Sequence, residues 1–121
     1  NVTCAGATVV TVFIPQNTPF SAASPYLVTF DYDAAADTVT RRENAVGAGC
    51  PPGGTGEPIA FSVVRADGTD GLSFEYFDSS GNTLGSTPPD VTVIARVRMI
   101  VQTTRNTVSR TFAGDAALRA R

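Results

Sequence analysis

The sequence predicts a mainly β fold, a single domain of antiparallel sheet with long loops over residues 1–121, and three observations carry that prediction. Apolar and polar residues alternate with a period of two in several short stretches. Those stretches are rich in Val, Ile, Thr, Phe and Tyr. Gly, Pro, Asn and Asp separate them. Side chains alternate across a strand, so a period of two lines one face of a sheet, and β-branched and aromatic residues suit a pleated surface. No stretch carries the 3.6-residue apolar repeat of an amphipathic helix. At 121 residues the chain is long enough for one real core and short for two. A content of 42% hydrophobic and 17% charged residues is globular.

The elements follow in order. Residues 7–14 (ATVVTVFI) read as a first strand, stopped by Pro15. Residues 15–25 hold three prolines with Ser and Asn, a surface loop. Over 26–33, Tyr26, Val28, Phe30 and Tyr32 point one way and Leu27, Thr29 and Asp31 the other. The connection Asp33–Asp37 returns the chain as a hairpin partner over 38–43 (TVTRRE). From Asn44 to Pro58 the composition shifts to Gly and Pro, and loops this long in a compact domain are usually functional or pinned. Residues 59–65 (IAFSVVR) read as a short strand or a crossing turn, 67–71 (DGTDG) as a tight turn, 72–78 (LSFEYFD) as a strand, and Ser79–Asn82 as a hairpin turn. Residues 92–104 (TVIARVRMIVQTT) are the longest strand candidate, about 40 Å if fully extended. Val97, Met99 and Val101 line one of its faces, and Arg96 and Arg98 the other, where Ile100 interrupts. A turn at Arg105-Asn106 brings 107–113 (TVSRTFA) back antiparallel, and 116–119 (AALR) follow.

Cys4 and Cys50 permit one intramolecular pairing, and both sit beside Gly or Pro. A bridge between them closes a loop of about 47 residues, worth about 4 kcal/mol in the chain-entropy model. Two thiolates without His are too few for zinc, and C-x-x-C redox spacing is lacking. A structural disulfide is therefore favoured over two buried thiols, and with it an oxidising, extracytoplasmic compartment. The longest apolar run is only a few residues, far from the ~20 of a membrane helix. No signal peptide is visible, so a targeting segment removed by processing or truncation is expected.

There is no His, Lys or Trp, and all nine basic residues are Arg. His is the side chain that titrates near neutrality and the commonest metal ligand. Arg stays protonated and cannot serve as a general base. A chain built this way binds or assembles and is not expected to be an enzyme or to hold a cofactor. Ser79 and Ser80 lie in a turn without G-x-S-x-G context or a His to activate them. Glu43, Glu57 and Glu75 offer carboxylates for glycoside hydrolysis, but no signature pairs them, and surface solvation is the expected role. Asp31, Asp33 and Asp37, and again Asp67 and Asp70, cluster at turns. Neither spacing matches a calcium loop, and Asp is expected at turns for its own backbone hydrogen bonds.

Charge is lopsided although the net is only −2. Residues 1–90 hold ten acidic groups against Arg41, Arg42 and Arg65, while residues 91–121 hold six Arg against Asp115 alone. Arg96, Arg98, Arg105 and Arg110 form a candidate interaction face for phosphate, acidic lipid or a neighbouring subunit's carboxylates. The plainer reading of Arg96 and Arg98 is a cross-strand ladder with Glu75, Asp31 or Glu43. An isoelectric point near 4.8 opposes generic nucleic-acid binding, and aromatic residues do not interleave with the stripe.

Leu72-Ser-Phe-Glu-Tyr-Phe-Asp78, the Ser-Ser-Gly-Asn turn, a Pro-bearing linker, Val93-Ile-Ala-Arg-Val-Arg-Met-Ile-Val101 and a terminal Ala117-Leu118-Arg119 resemble the globular heads of minor pilins. The closest type is the J-like pseudopilin of type II secretion and its type IV pilus counterparts. Val28–Asp33, a small turn and Thr38-Val-Thr-Arg-Arg42 look like the hairpin of those heads. The resemblance covers residues 26–43 and 72–119, at the level of pattern. It implies an α+β pilin-type head lacking its helix, a structural subunit exposed outside the inner membrane. Its partners would be other pilin or pseudopilin subunits, with DNA a further possibility through DNA uptake. The membrane would be met only through a hydrophobic N-terminal helix, cleaved by a prepilin peptidase and N-methylated. That helix is not in this chain, as expected of a soluble fragment or a separately encoded head. A bridge from Cys4 to Cys50 departs from the C-terminal loop of major pilins and favours a minor or divergent member. The alternative is a secreted β-sandwich carbohydrate-binding or adhesin module, with Tyr26, Tyr32, Phe77 and Phe20 as the surface aromatics it would need.

Overall fold

The computed structural model describes residues 1–15 and 25–117. Most of the expected 15–25 loop, Phe20 with it, and Leu118 and Arg119 lie outside the described residues. The fold is mainly β and antiparallel throughout, as the alternation predicts, with the strands divided between two sheets. Strands β1 (Val2–Ala5), β2 (Val9–Ile14), β3 (Tyr26–Asp33), β4 (Thr38–Ala45) and β5 (Glu57–Ala60) form the first, in that order. Strands β6 (Leu72–Phe77), β7 (Thr83–Gly85), β8 (Arg96–Arg105) and β9 (Val108–Ala117) form the second, ordered β7-β6-β8-β9. Among the described residues no helix is long and apolar enough to cross a membrane.

The bounds of β3 coincide with the alternating stretch 26–33, and β6 falls within 72–78. Departures from the expected elements have local causes. β8 starts at Arg96, four residues later than expected. The Asp90 carboxylate accepts from the Thr92 amide at 3.0 Å and its hydroxyl at 2.6 Å, winding Val91–Val93 into a 3-10 turn. β1 alternates over too few residues to be read, and its pairing with β2 shifts register between Val2 and Cys4. β7 is three residues long and exists because the turn before it is tied. There Asp78 accepts from the amides of Ser80 and Asn82, each at 2.9 Å. The 59–65 element resolves into β5, ending at Ala60, and a crossing segment through Val63.

The inner faces follow from parity. Val10, Val12, Phe30, Tyr32 and Val39 face Leu72, Phe74, Tyr76 and Val97, with Val2, Val63 and Ile94 closing the core. Tyr76, Val39 and Val63 have no exposed surface. β6 lies across one end of the first sheet. At its start Gly71 donates to the Val63 carbonyl at 3.3 Å; further on, the Phe74 amide donates to Ala7 at 2.9 Å. Tyr76 ends the crossing over the β1–β2 turn. Its hydroxyl accepts from the Gly6 amide at 3.1 Å and lies 2.9 Å from the Gly6 carbonyl and 3.1 Å from that of Val9. The Val63 amide in turn donates to the Asp37 carbonyl at 2.8 Å in the β3–β4 turn, so β6 runs from beside that turn to the β1–β2 turn, across the strand ends, and the two sheets pack crosswise.

Candidate interaction surfaces

The outer face of the first sheet is covered by the long loop, and the cysteines hold it there. Cys4 and Cys50 are bonded. The register places Cys4, Thr11, Thr29 and Arg42 in one row across β1 to β4, all on this outer face. Each member is engaged. Cys4 takes Cys50; the Thr11 and Thr29 hydroxyls bond to each other at 2.8 Å; Arg42 donates through Nε at 3.0 Å and Nη2 at 2.6 Å to the Pro52 carbonyl. Asn44 adds a bond to the Gly53 carbonyl at 3.0 Å, and Asp31 pairs with Arg42 at 3.2 Å. Pro52 is fully buried as a result. The bridge fits an oxidising, extracytoplasmic compartment.

The four arginines of the expected interaction face do not share one face. Arg96 and Arg98 project from the outer face of the second sheet, opposite Phe77 and Glu75 of β6. Arg105 lies an odd number of residues away on β8, and Arg110 pairs with Thr103, so both occupy the inner side. Counting in twos separates the pairs, a distinction that a tally of basic residues misses. Arg98 is neutralised within the chain. Its Nε donates to Asp115 Oδ1 at 2.8 Å, its Nη2 to Oδ2 at 3.3 Å, and Glu75 lies 3.8 Å away. The Arg98 hydrogen bonds and charge hold the Asp115 carboxyl below the usual carboxylate range. This is the cross-strand ladder expected for the stripe, with Glu75 as foreseen and Asp115 in addition. Arg96 instead stacks on Phe77, its guanidinium carbon 4.3 Å from the ring centroid, and its buried Nε has no hydrogen-bond partner.

The acidic clusters are engaged in turns and ion pairs. Asp33 accepts from the Ala35 amide at 3.0 Å, Asp67 from the Thr69 amide at 3.0 Å and hydroxyl at 2.7 Å, and Asp37 from the Tyr32 hydroxyl at 3.0 Å. Among the described residues no group of three potential ligands is placed to hold a metal ion. Glu43 binds Arg41 at 2.8 Å and Glu57 lies opposite Arg41 across β4 and β5, while Glu75 sits on the outer face of the second sheet. Of the surface aromatics a carbohydrate platform would need, Tyr32 is tied inside to Asp37 and Val63. Phe77 is covered by the Arg96 and Arg98 guanidiniums. Phe20 lies outside the described residues.

Two features went unread in the sequence. The inner faces part between β2 and β9, leaving an apolar cleft of about 610 Å³ lined by Val12, Ile14, Phe30, Met99, Val101 and Phe112. The second is the free edge of β9, whose residues 108–115 are all exposed, Phe112 to 58%. The signal available for the edge was the even spacing of Val108, Arg110 and Phe112 with no Pro among them.

No family model, no curated protein and no solved structure matches this chain.

Proposed function

We propose that the chain is the globular head of a minor pilin or pseudopilin, a non-catalytic subunit of a type IV pilus or type II secretion-like filament. The observation that carries this reading is the order of the second sheet. The hairpin β6–β7, the Pro-bearing linker and the antiparallel pair β8–β9 lie on the residues whose pattern resembles those heads. Its action is recognition by shape and fixed charge. The loop pinned over the first sheet and the Arg96–Phe77 stack are rigid surface features suited to contact with neighbouring subunits, at the cell surface or in the periplasm. Head-to-tail contact of unlike patches builds an open filament when the rotation between subunits does not close. On the outer face of the second sheet Arg96 is the basic group left for such a contact, since Arg98 is held by Asp115 and Glu75.

The deciding experiment reads the coding sequence directly upstream. The expected result is a Gly-Phe junction followed by an apolar helix of about 20 residues. A cleavable secretory signal there would overturn the filament reading. It would favour a secreted β-sandwich binding module, which the crosswise sheets and the cleft between them support. That cleft is apolar, so its ligand would be an apolar molecule and not a sugar.

A further inference from the structure

The two sheets have four edges, and three of them are blunted. β1 is four residues with a register shift, β5 is four residues carrying Pro58 and another shift, and β7 is three residues. Short strands, bulges and Pro are the usual devices that keep an edge from pairing with another chain. β9 has none of them: its pairing with β8 runs unbroken from Arg105↔Val108 to Arg96↔Ala117. Asn106 and Thr107, both at positive φ, close that hairpin with a two-residue turn, so Arg105 and Val108 are its first bonded pair. Alternation then turns the amides and carbonyls of Ser109, Thr111, Ala113 and Asp115 outward along the free edge.

We propose that β9 is the contact of a symmetric dimer, in which two copies of this chain pair β9 to β9, antiparallel, about a two-fold axis at Thr111. That register sets Arg110 of each copy opposite Phe112 of the other, twice per interface, at positions without direct hydrogen bonds where the strands come closest. The chain already makes this pair within itself: Arg96 on β8 lies opposite Phe77 on β6, guanidinium over ring. Arg110 has no ion pair among the described residues, and Phe112 is more than half exposed; the register provides for both. No like charges oppose each other, since Ser109 meets Ala113 and Val108 meets Gly114. A foreign strand could use the same edge, but the Arg-Thr-Phe sequence is complementary to itself. The proposal stands apart from the filament reading and does not depend on it.

The test is sedimentation of the whole chain from micromolar to millimolar concentration. The expected result is a concentration-dependent dimer. Phe112→Arg, which sets arginine against arginine, weakens it by at least about tenfold. The exchanged double variant R110F/F112R restores it, because the axis again opposes arginine and phenylalanine. Thr111→Pro removes an outward amide without touching a bond to β8 and gives a monomer. A wild type that stays monomeric at millimolar concentration overturns the proposal, as does a Phe112→Arg variant that still dimerises like wild type. An exchanged variant that is folded by circular dichroism yet monomeric overturns it as well. Should the exchanged variant not fold, the comparison of Thr111→Pro with wild type decides.

Discussion

Tyr76 shows most clearly how one residue joins the two halves of the chain. Its ring is buried in the core and its hydroxyl closes on Gly6 and Val9, about seventy residues earlier in sequence. Burial pushes its pKa up to about 12, and burial together with the Asp37 carboxylate does the same for Tyr32. A folded pKa raised above the unfolded value near 10 gives stability that is complete below pH 10 and lost as pH rises toward 12. Alkaline titration followed by circular dichroism should therefore show unfolding in that window. Tyr76→Phe should blunt it while lowering stability at pH 7 by about 1–3 kcal/mol, because the Gly6 carbonyl loses its buried donor; urea denaturation measures the second effect. Gly71 is a residue of the opposite kind. A Cβ there would meet the Gln102 carbonyl and come within 2.6 Å of the Val63 backbone, so only glycine lets these segments touch. Sequence marks Gly71 merely as part of a turn.

Among the elements, the 46–56 loop is the one whose order rests on long-range ties. It gains no ladder beyond a single bridge between Gly49 and Pro52, and is held by Cys50, the Arg42 fork on Pro52 and Asn44 on Gly53. Replacing Cys4 and Cys50 with Ser should cost about 2–4 kcal/mol, measured by denaturant midpoint. Hydrogen exchange should speed up over the loop while Val39 and Tyr76 stay protected; uniform loss of protection would show instead that the bridge holds the whole domain. The hairpins β3–β4 and β8–β9 were legible because alternation and turn residues are local signals. β1 and β7 were not, because strands this short exist only through their neighbours. The start of β8 was misread because a single Asp90 side chain outweighed the strand propensity of Val91–Val93.

At the scale of the whole molecule, each sheet is a contiguous stretch of sequence, residues 2–60 and 72–117, yet neither has its own core. Leu72, Phe74 and Tyr76 share one buried cluster with Val2, Val10 and Val39 of the first sheet, so separate folding of the halves would leave both faces wet. The chain should therefore unfold in one cooperative transition, with calorimetric and van't Hoff enthalpies in agreement. Two resolved transitions would mean that the sheets are independent units. The lopsided charge also takes its meaning at this scale. Part of the basic excess is consumed inside the second sheet, where Arg98 meets Glu75 and Asp115, and among its described residues what remains is Arg96 on one face and Arg105 and Arg110 on the other.

The sequence alone determined the class of fold, the principal hairpins, the pairing open to the two cysteines, and the poverty of titratable chemistry that came with the missing His and Lys. Those are local or compositional properties, and a period of two or an absent side chain needs no tertiary contact to be seen. Only the tertiary structure decided that the strands divide between two crosswise sheets, that the β8–β9 register sets Arg110 opposite Thr103 and so on the side of Arg105, and that β9 keeps an open edge beside an apolar cleft. Each of these depends on which strand lies next to which. Neighbourhood in a sheet is settled by burial summed over the whole chain, which no single stretch records.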